Sequence, residues 1–221
     1  MSYKVSMICA LALALLLASW LIAAQAPPAA VNTANLGLVG DRFKPMTWDQ
    51  MNDIQKKMTT DTLTGPRRGL GGPFNVLLRS PEMGDLAMKF GEYSRFRPAV
   101  PAKLRELAII LVARHWTAHF EWSAHRNAAA QAGLSADIIT AIANRKRPTG
   151  MQPDEEAVYN FANELLETKQ VSDATFKAVV DRFGEKGAVD IIGVMGWYQM
   201  VSMLLNVDRY PLANGAQPEL K

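Results

Sequence analysis

An all-α fold is predicted for this sequence, as one helical domain behind an N-terminal hydrophobic segment, and three observations carry the prediction. No stretch sustains the alternation of apolar and polar residues, with hairpin turns between, that marks strands. Apolar residues instead keep helical spacing, as at Leu104, Leu107, Ala108, Leu111 and Val112. Helix starts and stops also punctuate the chain: Ser80-Pro81-Glu82, Ser135 and Ser172 open helices, while Gly133 and Gly184 close them. Elements of this kind stack into a helix-on-helix core.

The 221 residues, 49% of them hydrophobic, suffice for one buried core and make two large domains improbable. A net charge of +3 and a longest basic run of Arg145-Lys146-Arg147 give no footprint for nucleic acid, so no nucleic-acid partner is expected. From Met7 to Ala24 the chain is apolar apart from Ser19 and follows Lys4, which fits an export segment. Residues 1–26 are therefore a signal peptide, cut after Ala24-Gln25-Ala26, or a retained membrane anchor, since Pro27 disfavours cleavage. The expected location is periplasmic or secreted, with membrane contact only through that segment. Residues 27–42 are small, polar and proline-bearing and read as a flexible linker; 43–212 are the folded domain and 213–221 a tail.

Within the domain, Thr47 and Gln50 form a capping-box pattern that opens a helix from Trp48 to about Met58. The glycine- and proline-rich run that follows is an irregular loop whose apolar end, Phe74 to Leu78, returns to the core. A helix from Pro81 to about Tyr93 leads, past Pro98, to a helix opened by Pro101. Ile109 and Ile110 make that helix apolar nearly all round, hence central. A break near Trp116-Thr117 separates it from a helix beginning near Ala118. Further helices run from Ser135 to Asn144, from Pro153 to Lys169 with Asp154, Glu155 and Glu156 at its N-terminus, from Ser172 to near Gly184, and from Gly187 to Asn206.

The chemistry concentrates between Glu106 and His125, which include all three histidines. Glu121 and His125 are four apart and share a helix face continued by Ala128 and Ala132, small residues that let a second helix approach. In such a crevice burial raises a carboxylic acid's pKa and a neighbouring carboxylate raises a histidine's, both toward neutrality, where proton transfer is efficient. Glu106 shares a face with Ile110 and Ala113 and needs a partner, either Arg114 or His125. Arg114 can hold a substrate carboxylate or merely neutralise Glu106. Trp116 and Trp122 are candidate substrate-binding aromatics, or core and interface residues. His115 and His119, with Glu121, have metal-like spacing, but the helix break between them argues against a site, and no metal or cofactor is expected. The only cysteine, Cys9, lies in the export segment, so the domain has no thiol.

The runs GPFNVLLRSPEM, RELAIILVARHW and EWSAH, followed by an alanine-rich turn and AGLS, resemble the carboxymuconolactone decarboxylase family, which includes the alkylhydroperoxidase D-like proteins. The resemblance spans Trp48 to Leu212. It implies a helical fold assembled as a homo-oligomer, trimer or hexamer. Peroxidase-type members carry Glu-x11-Cys-x2-Cys-x3-His; here the pattern keeps Glu106 and His125 but places Ala118 and Glu121 at the cysteines, so thiol redox chemistry does not transfer. What remains resembles a cysteine-free subgroup with an acid/base set of Glu106, Glu121 and His125. The leading expectation is a cofactor-free lyase-like enzyme that decarboxylates or isomerises a small carboxylated lactone or related acid, with Arg114, Trp116 and Trp122 binding it. The alternative is a non-catalytic oligomeric binding protein of the same family.

Overall fold

A computed structural model describes residues 32–221. The export segment at 1–26 and the first part of the linker lie outside the described residues. Among the described residues there are eight α-helices and no strands: α1 (Asp53–Thr64), α2 (Phe74–Leu77), α3 (Pro81–Phe96), α4 (Ala102–His115), α5 (His119–Gln131), α6 (Ala136–Ala143), α7 (Pro153–Thr168) and α8 (Asp173–Asp208). The fold is all-α, as the spacing predicts.

α4 is the axis of the domain. Every residue from Glu106 to Arg114 is buried, and α5, α7 and α8 pack around the helix. A helix apolar on all sides has no solvent face, so its neighbours must cover it completely. The chain reverses just beyond it: Trp116 ends α4, Thr117 adopts a left-handed φ of 48°, and Ala118 caps α5. This reversal lays α5 back along α4 as a helical hairpin. Residues at similar distances from the turn on the two arms then face one another.

The first helix differs from the sequence expectation. The Thr47–Gln50 capping box is formed, but it caps only a single 3-10 turn, Trp48–Gln50. A second box, between Asn52 and Gln55, opens α1 at Asp53, and the helix continues to Thr64 through residues expected in the loop. Asn52 is among the strongest N-caps, which explains why it prevails over Thr47. In α8, Gly184 (φ 67°, ψ 174°) breaks the helix where the sequence predicts a stop.

Buried carboxylates fasten the loops. Asp190 on α8 accepts from the Tyr93 hydroxyl at 2.9 Å and the Ala99 N–H at 2.7 Å, and pairs with Lys186 at 2.6 Å, fixing the link from α3 to α4. Asp208 accepts the N–H groups of Asp41 and Phe43, docking the segment before the first helix. Residues 219–221 strap the outer face of α5: Glu219 accepts from the Trp122 indole and pairs with Arg126, while the Lys221 main-chain oxygen accepts from Arg114.

α3 meets α8 at Gly91, where a Cβ would lie 2.4–2.9 Å from three atoms of the buried Trp197 ring. Gly91→Ala gains helix propensity of up to ~1 kcal/mol, yet a rigid indole in a packed core cannot yield to the methyl. We expect net destabilisation of about 1–3 kcal/mol, read as a lower urea midpoint; a more stable variant would show that α3 can stand off from α8.

Candidate active site

Glu106 and His125 meet across the α4–α5 hairpin. The Nδ1–H of His125 donates to Glu106 Oε2 at 2.6 Å, a short charge-assisted bond between two buried groups. On the other side of the ring, Glu121 Oε2 lies 3.1 Å from Nε2, one helical turn back on α5. That oxygen is out of line with the ring N–H and has no hydrogen-bond donor, although Glu121 is only 4% exposed. Glu121 sits in the first turn of α5, where the helix dipole favours negative charge. Tyr198 of α8 packs edge-on against the imidazole, with centroids 4.7 Å apart and planes at 77°.

Two carboxylates around one imidazole decide its charge. Burial opposes protonation of His125 most strongly, but the bond to Glu106 and the nearness of Glu121 outweigh it and raise the pKa to about 9. The histidine thus passes beyond the near-neutral value expected from the sequence and is an imidazolium at neutral pH. The Tyr198 phenol is pushed up, chiefly by burial and then by the Glu121 charge, so it stays protonated.

The site opens into a cleft of about 400 Å³ with Glu121 and His125 in its wall. Phe96 and Phe120 give it apolar sides, and Pro66, Gly71 and Gly72 from the α1–α2 loop form a rim. Arg67 of that loop and Arg95 of the last turn of α3 complete the wall. Among the described residues neither arginine forms an ion pair with a carboxylate, and Arg67 donates to the Gly71 carbonyl. Burial lowers the Arg67 pKa first, with the Arg95 charge adding to it.

The sequence-predicted set divides in two. Glu106, Glu121 and His125 come together; Arg114, Trp116 and Trp122 do not join them. Arg114 is eight residues beyond Glu106, about 80° further round a helix, and its guanidinium meets Thr117 and the Lys221 main chain instead. Trp122 follows Glu121 at about 100° and is buried on the side that meets Glu219. Trp116 ends α4, packs on the core and offers its carbonyl to Asn206. Arg67, Arg95 and Tyr198 were not foreseen. They come from a glycine-rich loop, the end of α3 and the last helix, and only packing unites them. His115 lies 3.5 Å from the exposed Glu167, away from this cleft, and no cluster of metal-ligating residues occurs among the described residues.

The carboxymuconolactone decarboxylase family model matches residues 81–164, which contain Glu106, Glu121 and His125. This part of the chain is similar to that family. The carboxymuconolactone decarboxylase segment runs from the start of α3 into α7, so Arg95 lies within it, whereas Arg67 and Tyr198 come from outside. A crystal structure of an Agrobacterium tumefaciens protein of unknown function, proposed to be the antioxidant defence protein AhpD, has a similar fold. It aligns with a TM-score of 0.54 and 16% identity over 63% of this chain and 96% of its own. No curated protein matches the chain.

With only three histidines, the His125 titration can be followed directly by NMR. In Glu106→Gln its pKa falls from about 9 toward the ordinary 6.5; an unmoved pKa would mean Glu106 does not hold the charge. Because the folded pKa is the higher one, the stabilisation is complete below about pH 6.5 and is lost as pH rises through about 9. Urea unfolding of the wild type therefore weakens across that window, and His125→Gln removes this part of the slope.

Proposed function

We propose that this protein is a cofactor-free acid/base enzyme that decarboxylates or isomerises a small carboxylated lactone or related acid. The observation that carries the reading is the imidazole of His125 held between Glu106 and Glu121 in the wall of a cleft. A buried cation braced by a carboxylate on one nitrogen, with the other nitrogen toward a substrate-sized space, is a proton donor at neutral pH. The match of residues 81–164 to the carboxymuconolactone decarboxylase family model supports the substrate class. Thiol peroxidase chemistry lacks support, since Ala118 and Glu121 stand where peroxidase-type members have cysteines and the domain has no thiol.

In the decarboxylation the bond from the substrate carbon to its carboxylate breaks and carbon dioxide leaves. The electron pair stays on carbon, delocalised into the neighbouring carbonyl, and the Nε2 proton of His125 forms the new C–H bond. Glu106 keeps the imidazole oriented and stabilises its charged form before transfer. In an isomerisation Glu121 removes a proton from one carbon and His125 delivers one to another. The isomerisation uses two groups side by side, one to take a proton and one to give it, which this geometry supplies. The apolar run at residues 7–24 supports action outside the cytoplasm, and self-assembly as a trimer or hexamer remains part of the proposal.

The test is a screen of carboxylated lactones and aromatic-catabolism acids with the purified chain, reading carbon dioxide release and, by NMR, isomeric products. His125→Gln is expected to fold, by circular dichroism, and to lose at least about a hundredfold in turnover, the usual contribution of a general acid. Undiminished turnover in that variant would refute the assignment. Binding of a screened acid with no conversion by the wild type would favour a non-catalytic binding protein.

A further inference from the structure

The proton-transfer set acts on one end of a bound molecule and says nothing of what holds the other end. Around the cleft the only side chains suited to that task are Arg67 and Arg95. They reach it from two elements distant in sequence, and among the described residues neither forms an ion pair with a carboxylate, although the Glu121 charge acts on Arg67 across the cleft. Two like charges lining one cleft repel, a cost a protein tolerates most readily where an anion is to be received. Arg95 also closes the C-terminal turn of α3, a position that suits a cation, so its placement needs no ligand to be stable. Arg67 has no comparable support, being half-buried in a glycine-rich loop with a single carbonyl as partner.

We infer that Arg67 and Arg95 form the carboxylate-binding wall of the cleft, the role the sequence assigns to Arg114, and that they select a monocarboxylate with a flat apolar body. The inference rests on the proton-transfer reading only for the orientation it gives the ligand. The two guanidiniums and the imidazolium exceed the two carboxylates by one charge, and a monocarboxylate restores neutrality. Phe96 and Phe120 form the apolar sides that a flat ring needs. Guanidinium contacts to a carboxylate are ground-state binding that its loss as carbon dioxide would weaken, so of the two proposed routes this wall fits the isomerisation, in which the carboxylate stays. The acid group bound by the arginines is thus retained through the reaction, and the imidazolium addresses the far end of the molecule.

Isothermal titration of the full-length chain with benzoate, and with benzamide as its uncharged counterpart, tests this without requiring turnover. Benzoate binds and benzamide binds at least about tenfold more weakly. Arg67→Gln and Arg95→Gln each weaken benzoate by at least about tenfold, and Arg67→Lys, which keeps the charge, weakens it less. Unfolding midpoints close to wild type show that the loop has not collapsed in these variants. Arg114→Gln binds benzoate as wild type does. Equal affinity for benzoate and benzamide, no binding of benzoate at millimolar concentration, wild-type affinity in the arginine variants, or loss of binding in Arg114→Gln each overturns the inference. Loss of benzoate in the arginine variants together with undiminished turnover in His125→Gln would leave this wall standing and remove the proton-transfer reading.

Discussion

The bond between Glu106 and His125 is the interaction on which the domain's interior depends. It lies where α4 and α5 pack, in a region otherwise filled by Leu, Ile and Ala, and it places two ionisable groups where neither is tolerable alone. Removing one partner leaves the other buried without its main counter-charge, which lowers stability by more than the pair contributes without abolishing the fold. Much of the surrounding architecture keeps the partners together: the tight reversal at Thr117, the apolar α4 that cannot rotate to release Glu106, and Tyr198 against the ring. The fold and the site are thus the same arrangement seen at two scales.

Local patterns were legible because their causes are local. The four-residue spacing of Glu121 and His125 puts both on one face of any helix, and the all-round apolarity of α4 requires that it be central. Glu106 could be paired with His125 or Arg114 on sequence grounds, and only the hairpin geometry chose His125. Arg114 was misplaced for a rotational reason: nearness in sequence to the acid/base set concealed a turn of about 80° away from it. Arg67 and Tyr198 were hidden for a different reason. One sits in a loop without periodicity and the other on a helix about seventy residues from His125, so their meeting is a property of packing alone. The α1 boundary shows the same limit on a smaller scale, with two valid capping boxes five residues apart and only one able to support a long helix.

The family relationship and the chemistry separate cleanly here. The scaffold that carries a thiol pair in peroxidase-type members carries Ala118 and Glu121 in this chain. The change is more than a loss, because a buried carboxylate at the second position adds a second neighbour for the histidine and raises its proton affinity. Function in such a fold lies in the side chains at a few positions, and the fold alone does not name it.

The one-sided exposure of the imidazole has a kinetic consequence. Nδ1 is closed off by Glu106 inside the core, whereas Nε2 faces Glu121 at the cleft, so protons can enter and leave the ring by a single route. Any molecule occupying the cleft blocks that route. In the proposed decarboxylation, once the ring has given up its proton, solvent can restore it only after the occupant departs, so recharging the acid is ordered behind release. Under that proposal the imidazolium is a single-shot donor, reset by water each time the cleft empties.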